Sequence, residues 1–271
     1  MAHEDEHIGD RHLSHWKSWP GRVLAAGATR AFARPGEFAL LLVIMLVGSL
    51  VMGLLTWTSG ELYEAVSQHD GVALFDQPVL SDMVAVRESW LTVFAYAFTT
   101  VGGPIAEPIL AAIVAVWLSR RWRSWTPLLL MVIAGAGSLT MTVVGKNYID
   151  RVRPPHVWAV PPYEWSPSFP SGHALNSVVI GGLIAYLLVI RAHRKRTRWF
   201  ILGCAILFAL LMGLSRVYLG HHWLTDVLVG WALGGAWLTL IITGHRLVLT
   251  LRERTQRPAA GSPDDEPAVT P

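Results

Sequence analysis

Apolar runs of membrane-crossing length alternate with short basic or proline-rich connections along this chain. Phe38–Thr58 carries no charged residue and, as a helix, is long enough to cross about 30 Å of hydrocarbon. Similar runs at about 101–118, 126–145, 173–190, 199–214 and 223–244 bring the predicted spans to six. The predicted fold class is therefore all-α, an integral membrane six-helix bundle. Its membrane domain covers 38–244, between a polar tail at 1–37 and a second tail at 245–271. A charged tail of this length before the first span argues against a cleavable signal peptide. Gly261–Pro271, rich in Pro and Asp, is predicted to be disordered.

Residues 59–104 are harder to place. Trp90–Val101 is apolar but too short to span comfortably. It is predicted as an interfacial or partly inserted helix, broken at Gly102-Gly103-Pro104, with Pro104 in the first turn of the next span. Pro154–Phe169 carries four further prolines with Trp158, Tyr163 and Trp165, and reads as an extended loop at headgroup level, where amphipathic rings settle.

Charge placement fixes a topology. Lys and Arg accumulate on the cytoplasmic side of short loops. With the N-terminus inside, the N-terminal tail, the 120–123 loop, the 191–198 loop and the C-terminal tail hold all but five of the 22 Lys and Arg. The exceptions are Arg87, Lys146, Arg151, Arg153 and Arg216. Counting Trp90–Val101 as a crossing would reverse everything after it and put the densest basic runs outside. Both termini are thus expected in the cytoplasm.

Composition narrows the chemistry further. The chain is 52% hydrophobic and 15% charged, with 13 Trp, as suits a membrane protein. Its one cysteine, Cys204, excludes an intrachain disulfide and, mid-span, is expected to be buried packing. No nucleotide-type glycine loop, zinc-type cysteine spacing or useful internal repeat is visible. His3, His7, His12 and His15 lie among Glu4, Asp5, Glu6 and Asp10 and read as a solvated tail rather than a metal site. Arg194–Arg198 reads as topology and anionic-lipid contact, not nucleic-acid binding. His69, His156, His193 and His245 are left as structural. Gly230, Gly234 and Gly235 are expected to permit close helix packing.

Three clusters of polar residues adjoin the spans. A charge at membrane depth costs roughly 2.5–3.5 kcal/mol at a helix centre, so such residues are expected to line a wet cavity. His222 and Asp226 are four apart, on one helical face; the carboxylate can fix the imidazole tautomer and leave the other nitrogen free to attack. His221 has Thr225 at that spacing and is less well placed. Ser171 can cap the helix that follows Pro170-Ser171-Gly172-His173, which leaves first-turn N–H groups for an anion. Gly172 removes a side chain where a phosphoryl oxygen must approach, and His173 can protonate a leaving oxygen and then activate water. Lys146 and Arg153 share a face if the helix continues that far, while Pro154-Pro155 ends it. Arg153 and Arg216 can fork onto phosphoryl oxygens, with Lys146 as a point charge. Asp150, Glu164 and Asp226 are too scattered in sequence to suggest a magnesium site.

At these residues the chain resembles the type 2 phosphatidic acid phosphatase superfamily. The tripartite pattern reads KNYIDRVRP at 146–154, PSGH at 170–173 and SRVYLGHHWLTD at 215–226, without departure. The resemblance implies a phosphohistidine intermediate on His222, His173 as acid then base, and phosphate binding by Lys146, Arg153, Ser171, Gly172 and Arg216. It also implies metal-independent catalysis without a cofactor. The expected function is hydrolysis of a lipid phosphate or diphosphate at the outer face of a bacterial plasma membrane. Undecaprenyl diphosphate, phosphatidic acid and phosphatidylglycerophosphate are the family's usual substrates, and analogy leans toward the first. The alternatives are a phosphotransferase of the same family and a non-catalytic lipid-phosphate binding or transport protein; pure binding would not need both histidines with Asp226. Expected partners are the lipid substrate and surrounding membrane lipids, with no nucleic acid.

Overall fold

The computed structural model describes residues 71–256 and, before them, only residues 7–8, 11–12, 50, 53 and 64; from residue 250 onward, only the side chain of Arg252 is described. The expected first span therefore lies outside the described residues, apart from Leu50 and Gly53, as do most of the N-terminal tail and the end of the C-terminal tail. His7–Ile8 and Arg11–His12 form a two-residue antiparallel pair. All other described secondary structure is helical. The elements are α1 (Asp76–Ala85), α2 (Ser89–Val101), α3 (Ala106–Trp122), α4 (Thr126–Ile149), α5 (Gly172–Arg191), α6 (Lys195–Tyr218) and α7 (Leu224–Gln256). Short 3₁₀ turns cover Gly71–Phe75 and His156–Trp158.

Four of these helices, α4 to α7, are long and apolar enough to cross a membrane. The pair α2–α3 passes the same test together, bent by 52° at the break between them. The break falls at Gly102-Gly103, as expected, but α3 begins at Ala106, so Pro104 belongs to the bend and Pro108 stands in the first turn instead. Local chemistry sets the other ends. Pro127 pre-sets the first turn of α4, and Asp150, in the left-handed region at φ 46°, stops it. Ser171 caps α5 by accepting a hydrogen bond from the Ala174 N–H, as its sequence position suggests. The last helix runs on to Gln256, beyond residue 244 where the expected span ends.

The bundle is organised around α5, the most enclosed of the four spans. Leu175, Val179, Leu183 and Leu187 recur every four residues on one face, and none is exposed. Within α5, Ser177–Gly181 adopts a π-helical turn. The outer faces of α3, α4 and α6 remain apolar: Ile113, Trp117, Val132, Ile206 and Leu207 are all exposed, as lipid-facing side chains are. Cys204 is exposed on α6 too. The expected buried packing is corrected here: an apolar neighbourhood in the sequence of a span is as compatible with lipid as with the protein interior.

Small residues bring α7 against the start of α5. A Cβ added at Gly230 would stand 2.8 Å from the Ser171 carbonyl oxygen, and one at Gly234 would stand 2.7 Å from that of Leu175. Gly235 meets nothing within 4 Å, so the packing role expected of three glycines belongs to two. Gly230→Ala and Gly234→Ala are each expected to cost about 1–3 kcal/mol by overpacking. Gly235→Ala should be neutral or slightly stabilising. Thermal unfolding of the detergent-solubilised protein checks the contrast, and equal effects at all three positions would contradict it.

Candidate active site

Because α4 to α7 alternate in direction, the end of α4, the start of α5, the end of α6 and the start of α7 meet at one end of the bundle. Lys146 is in the last turn of α4, His173 in the first turn of α5, Arg216 in the last turn of α6, and Asp226 in the first turn of α7. Arg153 and His222 come from the connections. Gly220 makes the α6–α7 turn possible: its φ is +73°, and a Cβ there would stand 2.2 Å from the Trp158 carbonyl oxygen.

Asp226 is wholly buried and heavily coordinated. Its Oδ2 accepts from the Trp223 N–H at 2.9 Å and from the Ser168 hydroxyl, and lies 3.4 Å from His222 Nδ1. Its Oδ1 accepts from Arg151 Nη1 at 2.5 Å. On the other side of the imidazole, His222 Nε2 is 3.3 Å from Arg153 Nη1. A guanidinium can only donate, so Nε2 is the lone-pair nitrogen and Nδ1 carries the hydrogen toward Asp226. Burial, then Arg153 and Arg216, hold the His222 imidazole well below the ordinary histidine value, so it rests neutral.

The phosphate-type cations converge by a route different from the expected one. α4 stops at Ile149, so Lys146 and Arg153 do not share a helix face. They meet on the loop instead: Lys146 Nζ donates to Ser166 Oγ at 3.0 Å and to the Pro167 carbonyl, and Arg153 Nε donates to the Ser166 carbonyl at 2.6 Å. Arg153 Nη1 also donates to the His221 carbonyl at 2.6 Å. Arg216 is 2% exposed, and its Nη1 donates to Thr99 Oγ1 at 3.2 Å. Ser171 also serves the scaffold: its hydroxyl oxygen caps α5 and its N–H donates to the Asp226 carbonyl at 3.1 Å. That hydrogen bond joins the second and third motifs directly. A Cβ at Gly172 would meet Thr142 at 3.2 Å, so this glycine also lets α5 approach α4. The first-turn N–H groups of Gly172 and His173 lack intrahelical acceptors.

Several residues of the site escaped the sequence reading. Arg151 bridges two buried carboxylates, Asp226 and Asp76, the latter through Nη2 at 2.7 Å. Asp76 in turn accepts from the Thr225 N–H at 2.8 Å and its hydroxyl at 2.7 Å. Arg87 donates to the carbonyls of Tyr218 and Trp158 and ties the α1–α2 connection to the loop. Glu164 pairs with Arg153 Nη2 at 2.8 Å and with Arg216 Nη2. Burial alone would raise the Glu164 carboxyl; the Arg216 and Arg153 guanidinium groups hold it well below the usual carboxylate range. The one sequence signal available was that Arg87 and Arg151, like the motif cations, fall on the side where basic residues are unexpected.

His221 is an anchoring residue. Its Nε2 donates to the Val160 carbonyl at 2.7 Å, and burial, with Arg216, lowers its imidazole to about 4. His156 stacks on Tyr163 at 4.8 Å, and His245 Nδ1 lies 2.8 Å from the Tyr186 hydroxyl. Among the described residues no group of three His, Cys, Asp or Glu is arranged to hold a metal ion; the carboxylates of the site face guanidinium groups.

Two outcomes follow from these contacts. Arg151→Ala leaves Asp76 and Asp226 buried without their shared cation and is expected to cost about 3–5 kcal/mol, read as a fall in unfolding temperature; an unchanged temperature would contradict the bridge. A histidine whose folded value lies near 4 and whose unfolded value lies near 6.5 is protonated preferentially in the unfolded chain between those limits. Stability should therefore fall as pH drops through that window, and by less in His221→Gln, which keeps an N–H donor without titrating. An equal fall in both proteins would refute this assignment.

Comparison with known proteins agrees with the motif. Residues 123–248 match the PAP2 superfamily. The chain is 35% identical over 164 residues to phosphatidylglycerophosphatase B of Bacillus subtilis (strain 168), covering 59% of this chain and 77% of that protein. It is 35% identical over 117 residues to an undecaprenyl-diphosphatase of Sulfolobus acidocaldarius, covering 41% of this chain and 51% of the relative. The crystal structure of a transmembrane PAP2-type phosphatidylglycerolphosphate phosphatase from Bacillus subtilis superposes with a TM-score of 0.60 at 26% identity, over 74% of this chain and 97% of that one. With its apolar helices and three motif blocks gathered at one end of the bundle, this chain is an integral membrane protein that belongs to the PAP2 superfamily.

Proposed function

We propose that this protein is a membrane lipid phosphatase that hydrolyses a lipid phosphate or diphosphate through a phosphohistidine intermediate. The observation that carries the reading is the position of His222, with Nδ1 toward Asp226 and Nε2 toward Arg153. Binding alone would need the guanidinium groups but not an oriented, neutral imidazole among them.

In the reaction, Lys146, Arg153, Arg216 and the first-turn N–H groups of α5 hold the phosphoryl oxygens. They balance the charge that builds up in the transition state. His222 Nε2 attacks phosphorus, the P–O bond to the lipid breaks, and His173 supplies the proton to the departing oxygen. Asp226 stabilises the imidazolium as it forms. Water then attacks the phosphohistidine while His173 takes its proton, and the P–N bond breaks to release phosphate. The cations and backbone donors do this work without a metal ion.

The membrane side follows from charge. The Arg120–Arg123 and Arg191–Arg198 runs lie at the bundle end remote from His173, since the length of α5 separates Arg191 from it. The positive-inside bias supports those runs in the cytoplasm and the catalytic end at the outer face. A substrate with its head at that face and its chains in lipid suits such a site. Both a diphosphate such as undecaprenyl diphosphate and a monoester such as phosphatidylglycerophosphate satisfy this geometry. The share of the B. subtilis relative that is covered favours the monoester.

Phosphate release from phosphatidic acid, phosphatidylglycerophosphate and undecaprenyl diphosphate in detergent, with chelator present, tests the reading. Activity should survive chelation and fall by at least about a thousandfold in His222→Ala, given the barrier a lost nucleophile restores. Undiminished turnover in the variant, or dependence on added magnesium, would overturn it.

A further inference from the structure

Both guanidinium groups that face a phosphate in the proposed reaction already hold an anion of the chain itself. Glu164 comes from the 154–171 connection and forms ion pairs with Arg153 Nη2 at 2.8 Å and with Arg216 Nη2; its Oε1 also lies 3.9 Å from His221 Nδ1. His222 and His173 both lie within its electrostatic reach. The carboxylate therefore occupies the same ligands that a phosphoryl group would use.

Glu164 also differs from the other carboxylates of the site. The side chains of Asp226 and Asp76 are 0% and 6% exposed and are locked by Arg151, whereas that of Glu164 is 32% exposed. The loop is fastened just beyond it. Ser166 and Pro167 are held by Arg153 and Lys146, and the Ser168 N–H donates to the Arg151 carbonyl at 2.8 Å. Glu164 itself lies between two fastened points of the loop, Val160, held by Leu219 and His221, and Ser166, and only its side chain keeps a solvent-exposed side. An empty pocket needs such an anion, because a guanidinium as buried as Arg216 is costly to leave unpaired.

We propose that Glu164 is a specificity-determining gate: it holds Arg153 and Arg216 until a phosphate bearing about two negative charges replaces it, and so keeps singly charged phosphodiester headgroups out of the site. The proposal rests on the reading of these two arginines as phosphate ligands. A phosphomonoester carries about −1.5 to −2 near neutral pH, so exchanging it for one carboxylate gains charge at the cations. A diester carries a single charge and gains none, while it still bears the cost of displacing two ion pairs. Diesters make up most of the phospholipid in a membrane, so an ungated cationic pocket would be filled by them. The displacement cost falls on every phosphate alike; the doubly charged monoester offsets it at the cations and the diester does not, so the built-in competitor holds the diester below inhibiting occupancy.

The test uses the full chain in nonionic detergent micelles, with phosphatidic acid as the monoester at fixed surface fraction. Phosphatidylglycerol, as the diester, replaces detergent. The apparent KM of the unaltered protein should stay constant as phosphatidylglycerol rises to several times the substrate. In Glu164→Gln, phosphatidylglycerol should become a competitive inhibitor and raise the apparent KM about tenfold, while Glu164→Asp, which keeps the charge, retains the insensitivity. Orthophosphate binding by calorimetry, without turnover, separates this from the catalytic reading. It should be about tenfold tighter in His222→Ala/Glu164→Gln than in His222→Ala. Competition by phosphatidylglycerol against the unaltered protein would sink the gate, even if the variant could not be purified. Equal or weaker orthophosphate binding in the double variant would do the same, and mark Glu164 as a structural counter-ion only.

Discussion

A charge withdrawn from water at the end of an apolar bundle has to be paired, and that constraint organises this site. Arg151 meets it between Asp76 and Asp226, and Arg216 meets it against Glu164. Because the partners come from α1, α6, α7 and the connection between α4 and α5, pairing charges also fixes how the elements meet. Asp226 is the hinge of this arrangement. Its carbonyl accepts from Ser171, its carboxylate from Arg151, Ser168 and Trp223, and the same carboxylate faces His222. The nucleophile is thus oriented by a group that cannot move without disturbing several helix ends.

Apolar packing supplies the frame in which those charges are placed. The unexposed row Leu175, Val179, Leu183 and Leu187 centres α5, and the close approach of α7 at Gly230 and Gly234 brings the Asp226 turn onto the Ser171 turn. These contacts are ordinary membrane-helix packing, where small residues let backbones come close. They set positions but supply no chemistry. The chemistry comes from what is left at the bundle end once the helices are in place.

Much of this was legible in the sequence because two independent patterns agree. Hydropathy located α4 to α6 nearly to their ends and the start of α7, and motif spacing named the residues that the structure gathers beside one another. The positive-inside bias adds a third signal: Arg87, Lys146, Arg151, Arg153 and Arg216 all prove to hold that bundle end together. What stayed hidden depends on three-dimensional pairing. Nothing in the spacing of Asp76, 150 residues before Asp226, indicates that one arginine bridges them. Glu164 reads in the sequence as one of several scattered carboxylates, and Cys204 as buried packing, because sequence gives neither loop conformation nor the direction a helix face points. Lys146 and Arg153 show the same limit, since they converge through a loop rather than along a helix.

Direct attack by the His222 nitrogen on phosphorus is the claim on which the functional account turns. Rapid mixing with phosphatidic acid labelled with ³²P at phosphorus, followed by an alkaline quench within milliseconds, reads that step. The account predicts an acid-labile, alkali-stable phosphoryl label on the protein that is absent from His222→Ala. Label persisting in that variant, or phosphate released by the unaltered protein with no label at any time, would contradict it.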